Sequence, residues 1–168
     1  MYNELMEEQK IYEYIKNDRG FIYLDDYYCA ESYIAGRIGV IQAFSSPDDY
    51  DYEKLIDIEE EQNGIHYEKL QRQAITTALS RGIMIMTGGP GTGKTTTLNA
   101  IISLYEKKGE SVMLAAPTGR AAKRMSDLTG REARTIHRLL EVEFDAGGKL
   151  KFKHNESDPL ECLSLIHI

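Results

Sequence analysis

The sequence predicts an α/β fold in which parallel strands alternate with helices, and three observations support the prediction. An apolar run at 83–86 leads into a glycine-rich loop, which a helical pattern follows directly. A second apolar run at 111–116 is again followed by a helical pattern, here rich in alanine and basic residues. A third apolar run begins after Pro159. Strands that alternate with helices in this order form parallel sheets, whose ligands bind at the carboxyl ends of the strands.

Ahead of this pattern the sequence predicts a small, mainly helical region. Residues 21–24 form a candidate strand, and helical periodicity is found at 2–16, 25–38 and 52–62. The last of these stretches ends at Asn63-Gly64, where glycine favours a helix stop. We therefore predict a domain boundary at this point, with a helical N-terminal region at 1–63 and the α/β domain at 64–168.

Composition and charge narrow the classes of function. The net charge of −7 argues against nucleic-acid binding over the whole surface but leaves a local basic patch open. Cys29 and Cys162 lie far apart without a C-x-x-C motif, which disfavours a zinc site and is typical of reduced thiols. No secretory leader or membrane-spanning run is found, so we expect a cytoplasmic protein with no membrane partner. Residues 59–61 are acidic and predict a solvated helix face rather than a metal site, because consecutive side chains point to different sides.

Residues 65–81 predict a helix that leads into the first strand. Its buried stripe is predicted to contain Leu70, Ala74, Ile75, Ala78 and Leu79. Gln71 and Gln73 remain polar and lie close in sequence to the glycine-rich loop. A glutamine amide both donates and accepts hydrogen bonds, as the edge of an adenine requires. A solvent-facing helical glutamine is the alternative, and the residues alone favour it.

The glycine-rich loop at 88–96 fits the phosphate-binding pattern G-x-x-x-x-G-K-[ST]. Its candidate nucleotide-binding residues are Gly88, Gly89, Pro90, Gly91, Thr92, Gly93, Lys94, Thr95 and Thr96. Glycines let the backbone N–H groups turn inward around phosphates, and Lys94 supplies a cation for the β- and γ-phosphates. Thr95 offers a hydroxyl to Mg²⁺ at the start of a helix predicted over 94–108, with Gly109 as its stop. An ordinary glycine-rich turn is the alternative, which the strand before the loop and the helix after it disfavour.

The loop after the second strand has a composition suited to another phosphate. Residues 117–120 contain Thr, Gly and Arg at the carboxyl end of a strand and open a helix. A basic, solvated helix face explains the same residues equally well, and spacing leaves both interpretations open. Further along, His137 beside an apolar stripe is typical of a packing residue. Residues 143–153 alternate around a glycine pair and predict a hairpin.

Taken together, Gln71, the loop at 88–96 and the segments 115–125 and 135–140 resemble the RecD-like helicases in order and spacing. These are superfamily 1 DNA helicases that move 5′ to 3′, and the chain is most similar to their RecD2 type. The resemblance is strong from about 65 to 140. Residues 27–35 are similar to the helical region ahead of the motor in that family.

The resemblance implies ATP-dependent translocation on single-stranded DNA by a motor whose first RecA-like lobe begins at residue 64. It implies that Gln71 reads adenine, that Lys94 and Thr95 act in catalysis with ATP and Mg²⁺, and it gives Gln73 no role. Two groups of residues are implied to contact DNA: Pro117, Thr118, Gly119, Arg120 and Lys123 in one segment, and Thr135 and His137 in the other. Contacts of this kind go to phosphates and are independent of sequence.

One departure from the family pattern concerns the third strand. It should end in an Asp-Glu pair that holds Mg²⁺ and positions the attacking water, but residues 163–168 contain no acid. Residues 162–168 resemble translated sequencing-adapter sequence, and we interpret the chain as a helicase fragment that ends before this pair. We expect an inactive chain from an active parent. The alternatives are a fragment that binds ATP or DNA without turnover, and an unrelated P-loop kinase or NTPase, which would not explain 115–125 and 135–140.

Overall fold

The computed structural model describes residues 2–44, 50–144, 147–162 and 164–167. The chain divides into two compact units. One contains Met1–Asp48 and Ser80–Met84, and the other contains Asp49–Leu79 and Ile85–Ile168. The domain boundary at 63/64 stays a prediction.

The first unit combines a helical segment with a β-hairpin. Its elements are α1 (Tyr2–Glu7), β1 (Ile11–Lys16), β2 (Arg19–Leu24) and α2 (Asp25–Phe44). The helix predicted over 2–16 is therefore wrong beyond Glu7, whereas the strand at 21–24 and the helix at 25–38 are confirmed. Asn17 and Asp18 have φ values of 52° and 58°, which make the left-handed two-residue turn of an antiparallel hairpin. This turn, together with the β-branched and aromatic residues of β1, overrides the helical spacing.

The long helix α2 exposes most of its surface. None of its residues is buried, although it includes large apolar side chains such as Ile34 and Phe44. None of the helices in the described part of the chain combines the length and apolar character needed to cross a bilayer.

The remaining elements build the α/β part of the molecule. They are α3 (Tyr52–Asn63), α4 (Lys69–Ser80), α5 (Lys94–Lys107), β3 (Val112–Ala116), α6 (Gly119–Thr129), β4 (Ala133–Thr135), α7 (Ile136–Leu139), β5 (Val142–Phe144), β6 (Leu150–Phe152) and β7 (Ser164–His167). Strands β4, β3 and β7 form a parallel sheet in that order, and β5 pairs with β6 as the predicted hairpin. The parallel α/β architecture predicted from the sequence is thereby confirmed.

The strand predicted at 83–86 is not formed. Ile85 is 83% exposed, and this segment pairs with no described strand. Both edges of β3 are already occupied, since Leu114 is opposite Ala133 on one side and Ile166 on the other. An apolar run becomes a strand only where a neighbouring edge accepts its backbone hydrogen bonds.

The core of the sheet domain lies between α5, α6 and the strands. Leu98 and Ile102 of α5 pack with Leu114 and Met125, and Val112, Ala133 and Ile166 pack around this cluster. The helix predicted over 94–108 is confirmed as α5, and its apolar residues Leu98, Ile101 and Ile102 are all buried. Gly109 has a φ of 81° just after the helix, as its predicted role as a stop requires.

Two predictions for α3 and α4 need correction. Leu70 is 76% exposed, while Ile75, Ala78 and Leu79 are buried, because Leu70 lies about 180° around the helix from Leu79 at ~100° per residue. The acidic run at 59–61 is not a solvated face throughout. Glu59 is 2% exposed and pairs with Lys107 of α5, so the packing of α3 against α5 selects this carboxylate for burial.

Candidate nucleotide and DNA-phosphate site

The phosphate-binding loop joins an extended segment to the first turn of α5. Gly91 and Gly93 both have a φ of 76°, in the left-handed region that favours glycine, and Gly93 caps the helix. A Cβ atom on Gly88 would lie 2.7 Å from Thr92 Oγ1. The loop therefore requires glycine for its backbone conformation at two positions and for space at a third.

The polar side chains of the loop turn toward its own backbone. Lys94 Nζ donates to the carbonyl oxygens of Gly88 and Gly89, at 2.6 Å each. Thr92 Oγ1 donates to the same Gly89 oxygen at 2.9 Å. The ammonium group is thus fixed inside the curve of the loop, where a polyphosphate would meet a positioned cation.

The threonines after Lys94 divide into three environments. Thr97 is buried, and its N–H and Oγ1 both donate to Gly93 O, at 3.0 and 3.1 Å. Thr96 is exposed, and Thr95 is half-buried in the first turn of α5. Within the described residues Thr95 Oγ1 has no hydrogen-bond partner, which leaves this hydroxyl available to a hard cation.

Gln71 extends from α4 to the loop. Its Nε2 donates to Gly93 O at 3.4 Å, and its Oε1 accepts from the backbone N–H of Glu68 at 2.8 Å. A Cβ on Gly93 would lie 2.2 Å from Gln71 Nε2, so the two residues are in direct contact. Gln73 is exposed and makes no contact of this kind.

A cavity of about 590 Å³ opens beside the loop, between α5 and α6. Its lining contains Met86, Thr87, Gly88, Lys94, Thr95, Leu98, Ala121, Arg124, Met125, Leu128 and Thr129. The two residues with predicted catalytic roles, Lys94 and Thr95, therefore face a space of the size of a small-molecule site.

The two candidate DNA segments meet at one edge of the parallel sheet. Ala116 at the end of β3 is opposite Thr135 at the end of β4, so the residues that follow each strand are neighbours. Pro117, Thr118, Gly119 and Arg120 are all exposed at this edge, as are Lys123 and His137. We call the residues 117–120 and 135–138 the sheet edge.

Threonines at the sheet edge cap helices. Thr118 Oγ1 accepts from the N–H of Ala121, and Thr135 Oγ1 accepts from the N–H of Arg138, both at 3.2 Å. Arg120 and Lys123 form no ion pair with any described residue. Two helix N-termini and unpaired cations at one edge are suited to phosphate binding.

His137 is exposed, and its ring centroid lies 6.0 Å from that of Phe152 in the β5–β6 hairpin. The packing role that the sequence favoured for this histidine is consistent with that contact.

A cluster that the sequence analysis missed surrounds Arg72, next to Gln71. Its guanidinium donates to Glu53 and Asp57 at 2.7 and 2.6 Å, and to Glu60 at 2.9 Å. The backbone N–H of Tyr67 also donates to Glu60, and this bond, followed by Arg72, lowers the pKa of the Glu60 carboxyl. The sequence could have indicated this cluster, because the acidic residues 53, 57 and 60 have the spacing of one helix face.

The donor set fits a nucleoside triphosphate with Mg²⁺. Lys94 and the N–H groups at the start of α5 would hold the phosphates, Gln71 would meet the base, and Thr95 would be a ligand to the metal. The left-handed backbone at Gly91 and Gly93 and the Lys94 ammonium held inside the curve of the loop support the fit, because a loop that turns its backbone around phosphates needs both.

Comparison with known proteins places the chain in a family. A family model described as an AAA domain matches residues 71–168. The ATP-dependent RecD2 DNA helicase of Deinococcus radiodurans is 36% identical over 140 residues, which cover 83% of this chain and 19% of the relative. The RecBCD enzyme subunit RecD of Mycolicibacterium smegmatis is 37% identical, over 54% of this chain and 20% of the relative.

A phage protein extends the same likeness. The ATP-dependent DNA helicase dda of Enterobacteria phage T4 is 48% identical over 56 residues, which cover 33% of this chain and 13% of that protein. The chain spans about a fifth of the length of its two RecD relatives. With the geometry of the loop, these matches lead to one conclusion: the chain belongs to the AAA domain family and, within it, to the RecD-like superfamily 1 helicases.

Proposed function

We propose that this chain is part of an ATP-dependent 5′–3′ DNA helicase that couples ATP hydrolysis to translocation on single-stranded DNA. The observation that supports this best is the parallel pairing of Ala116 with Thr135, which brings both candidate DNA segments to one edge of the sheet. The helix α5, which follows the phosphate-binding loop, packs against the same sheet. An unrelated P-loop kinase would leave unexplained the resemblance of residues 115–125 and 135–140 to the RecD-like helicases. We also propose that residues 64–168 form the beginning of the first motor lobe and that the protein works in the cytoplasm.

On the nucleotide side, ATP would lie along the loop with its adenine at Gln71. Lys94 would balance the charge of the phosphates, and Thr95 would hold Mg²⁺, which supplies electrostatic stabilisation during phosphoryl transfer when bound. Because Lys94 is already fixed by Gly88 and Gly89, the loop would not have to rearrange this cation on binding.

On the DNA side, Arg120 and Lys123 would contact single-strand phosphates, next to the N-termini of α6 and α7. Thr118 and Thr135 would contribute by capping those helices, with Pro117, Gly119 and His137 lining the same edge. Contacts to phosphates do not depend on sequence, as translocation along any strand requires.

A second candidate function is binding of ATP and DNA without turnover. The water that attacks ATP needs an acidic residue to position it, which we expect near the end of a strand beside β3. Residues 162–168 contain no acidic residue. Parallel pairing of β7 with β3 puts residues 164–167 at that position.

A phosphate-release assay on the purified chain separates these functions. It is run with Mg²⁺-ATP, with and without single-stranded DNA, beside the Lys94→Ala variant. DNA-stimulated release that the variant lacks supports a helicase motor, and ATP and DNA binding without release supports the binding module. Release that DNA does not stimulate, or failure to bind either ligand, would contradict both.

A further inference from the structure

We propose that Glu60 and Arg72 are positioning residues for Gln71, and that through it they determine the preference of the site for adenine over guanine. The proposal deepens the function proposed above and rests on it, because it concerns the same nucleotide site. It is supported by a series of hydrogen bonds from α3 to the phosphate-binding loop, joined through the backbone of Tyr67 and Glu68.

The series begins at the Glu60 carboxylate, which divides its two oxygens between α4 and the segment before it. Oε1 accepts from the backbone N–H of Tyr67 at 2.6 Å, and Oε2 accepts from Arg72 Nη1 at 2.9 Å. The Glu60 side chain is 13% exposed, so solvent competes weakly for these bonds. His66 Nδ1 lies 3.5 Å from Oε1 at the exposed side of the same carboxylate.

Arg72 fixes the first turn of α4 against α3. Its guanidinium contacts Glu53 and Asp57 as well as Glu60, so three carboxylates of one helix face hold a single side chain. A planar guanidinium held at several points has little freedom to rotate. The backbone of Gln71, next to Arg72, is positioned by the same contacts.

The series continues from Tyr67 to the loop. Tyr67 is 3% exposed, and the next backbone N–H, that of Glu68, donates to Gln71 Oε1 at 2.8 Å. Gln71 Nε2 then donates to Gly93 O at 3.4 Å. These two bonds hold the amide of Gln71 at both ends and fix which end is the donor.

A fixed amide selects between purines. After these bonds, Oε1 keeps one acceptor site and Nε2 keeps one N–H. Adenine presents an acceptor at N7 beside a donor at N6, whereas guanine presents acceptors at both N7 and O6. An amide of fixed orientation matches adenine with both groups and guanine with only one, so any group that fixes the amide contributes to the preference.

Calorimetry with the full 168-residue chain tests the inference, with Mg²⁺ and three ligands: ATP, GTP and inorganic triphosphate. In Glu60→Ala we expect ATP to bind about tenfold more weakly, which corresponds to the loss of about one hydrogen bond. GTP and triphosphate should stay within about twofold of their wild-type affinities. Glu61→Ala is the matched control, because Glu61 is the exposed neighbour on the same helix, and it should change none of the three.

Two further variants keep the test decisive. Glu60→Gln keeps an acceptor for the Tyr67 N–H but loses the charge that pairs with Arg72, so its effect should be smaller than that of Glu60→Ala. If Glu60→Ala does not fold, Glu60→Gln and Arg72→Lys are compared with wild type, and a smaller ATP-specific loss is expected in both.

An equal loss for all three ligands would overturn the inference, since it would mean that the pair only stabilises the fold. Unchanged ATP affinity in the variants would overturn it too. A wild-type chain that binds triphosphate but does not prefer ATP would refute the role of Gln71 and leave the phosphate site intact. A wild-type chain that binds none of the three would refute the proposed nucleotide site itself.

Discussion

The phosphate-binding loop and the sheet edge use the same residue types in opposite ways. In the loop, the hydroxyl of Thr92 and the ammonium of Lys94 both bond to backbone carbonyls of the loop itself. At the sheet edge, the hydroxyl of Thr118 caps a helix, while the cation of Arg120 extends into solvent without an ion pair among the described residues. One region holds its charge in place, and the other leaves it exposed to solvent.

This difference has consequences for binding energy. A cation held in position before binding loses little freedom when a phosphate arrives, so removing it has a large effect on affinity. A flexible, solvated cation contributes mainly through counterion release, so each one adds a small and salt-dependent increment. Substitutions in the loop should therefore be severe and specific, and those at the sheet edge mild and additive.

The largest effect is expected for Lys94→Ala. We expect the free energy of ATP–Mg²⁺ binding to fall by about 2–5 kcal/mol, the range for losing one partner of a desolvated charge pair. Calorimetry measures it, with Lys151→Ala in the exposed β6 strand as the control. Equal affinity in wild type and Lys94→Ala would show that the held cation does not serve the nucleotide.

Gly93→Ala should be the next most severe change. The new Cβ would lie 2.2 Å from Gln71 Nε2, and the φ of 76° is unfavourable for alanine by about 1–2 kcal/mol even without the contact. We expect urea unfolding to show a loss of stability of at least this size. Gly89→Ala is the control, because its Cβ would meet no atom within 4 Å, and it should cost less than about 0.5 kcal/mol. A loss in Gly93→Ala no larger than that in Gly89→Ala would mean that neither the left-handed φ nor the contact with Gln71 constrains position 93.

Much of this contrast could be predicted from the sequence, because the relevant signals are local. The spacing of Gly88, Gly93 and Lys94, together with the helical pattern that follows, predicted a phosphate-binding loop at the start of a helix. Likewise, Thr118 follows an apolar run and precedes a helical pattern, which places it at the end of a strand.

The failures came where a residue's environment depends on a distant partner. Glu59 and Glu60 look alike in the sequence, but only packing of α3 brings Lys107 to one and Arg72 to the other. The run at 83–86 has the composition of a strand, but its pairing depends on an available edge. Residues 11–16 fit both a helix and a strand, and the turn at Asn17 and Asp18 decided between them.

Thr118→Ala tests whether the sheet edge depends on its helix cap. Loss of the bond to the Ala121 N–H should destabilise the fold by about 1 kcal/mol, as removal of an N-cap commonly does. Urea unfolding measures the loss, and Thr118→Ser, which restores the hydroxyl, should recover most of it. Equal stability of Thr118→Ala and wild type would leave this threonine free to contact DNA directly.

A smaller effect is expected for Arg120 of the sheet edge and for Lys123, which follows it in α6. Arg120→Gln and Lys123→Gln should each reduce the slope of log affinity for single-stranded DNA against log salt by about 0.7, the value for one phosphate. Fluorescence anisotropy with an oligonucleotide at several salt concentrations measures the slope. Arg134→Gln is the control, because that guanidinium already pairs with Glu132. Unchanged slopes in both variants would return these residues to a solvated helix face.

The smallest effect concerns the ion pair that connects α5, the helix after the phosphate-binding loop, to the end of α6, the helix that begins at the sheet edge. Glu106 in the last turn of α5 accepts two hydrogen bonds from Arg131, which follows α6, and these bonds lower the pKa of its carboxyl. A carboxyl whose pKa is lower in the folded state stabilises the fold above its unfolded pKa of about 4.3 and loses that contribution as the pH falls through the folded value.

Glu106→Gln should therefore lower the free energy of unfolding by about 0.5 kcal/mol at pH 7, a small value because both side chains are partly exposed and solvent screens the pair. As the pH falls from 7 through the lowered pKa of the folded carboxyl, the wild-type side chain loses its charge, so the difference between the two proteins should shrink. Urea unfolding at pH 7 and in the acid range measures it, with Glu61→Gln as an exposed control that should show no difference at either. A difference of the same size at both pH values would mean that the glutamine disturbs packing, and that charge does not link the helix of the loop to the helix of the sheet edge.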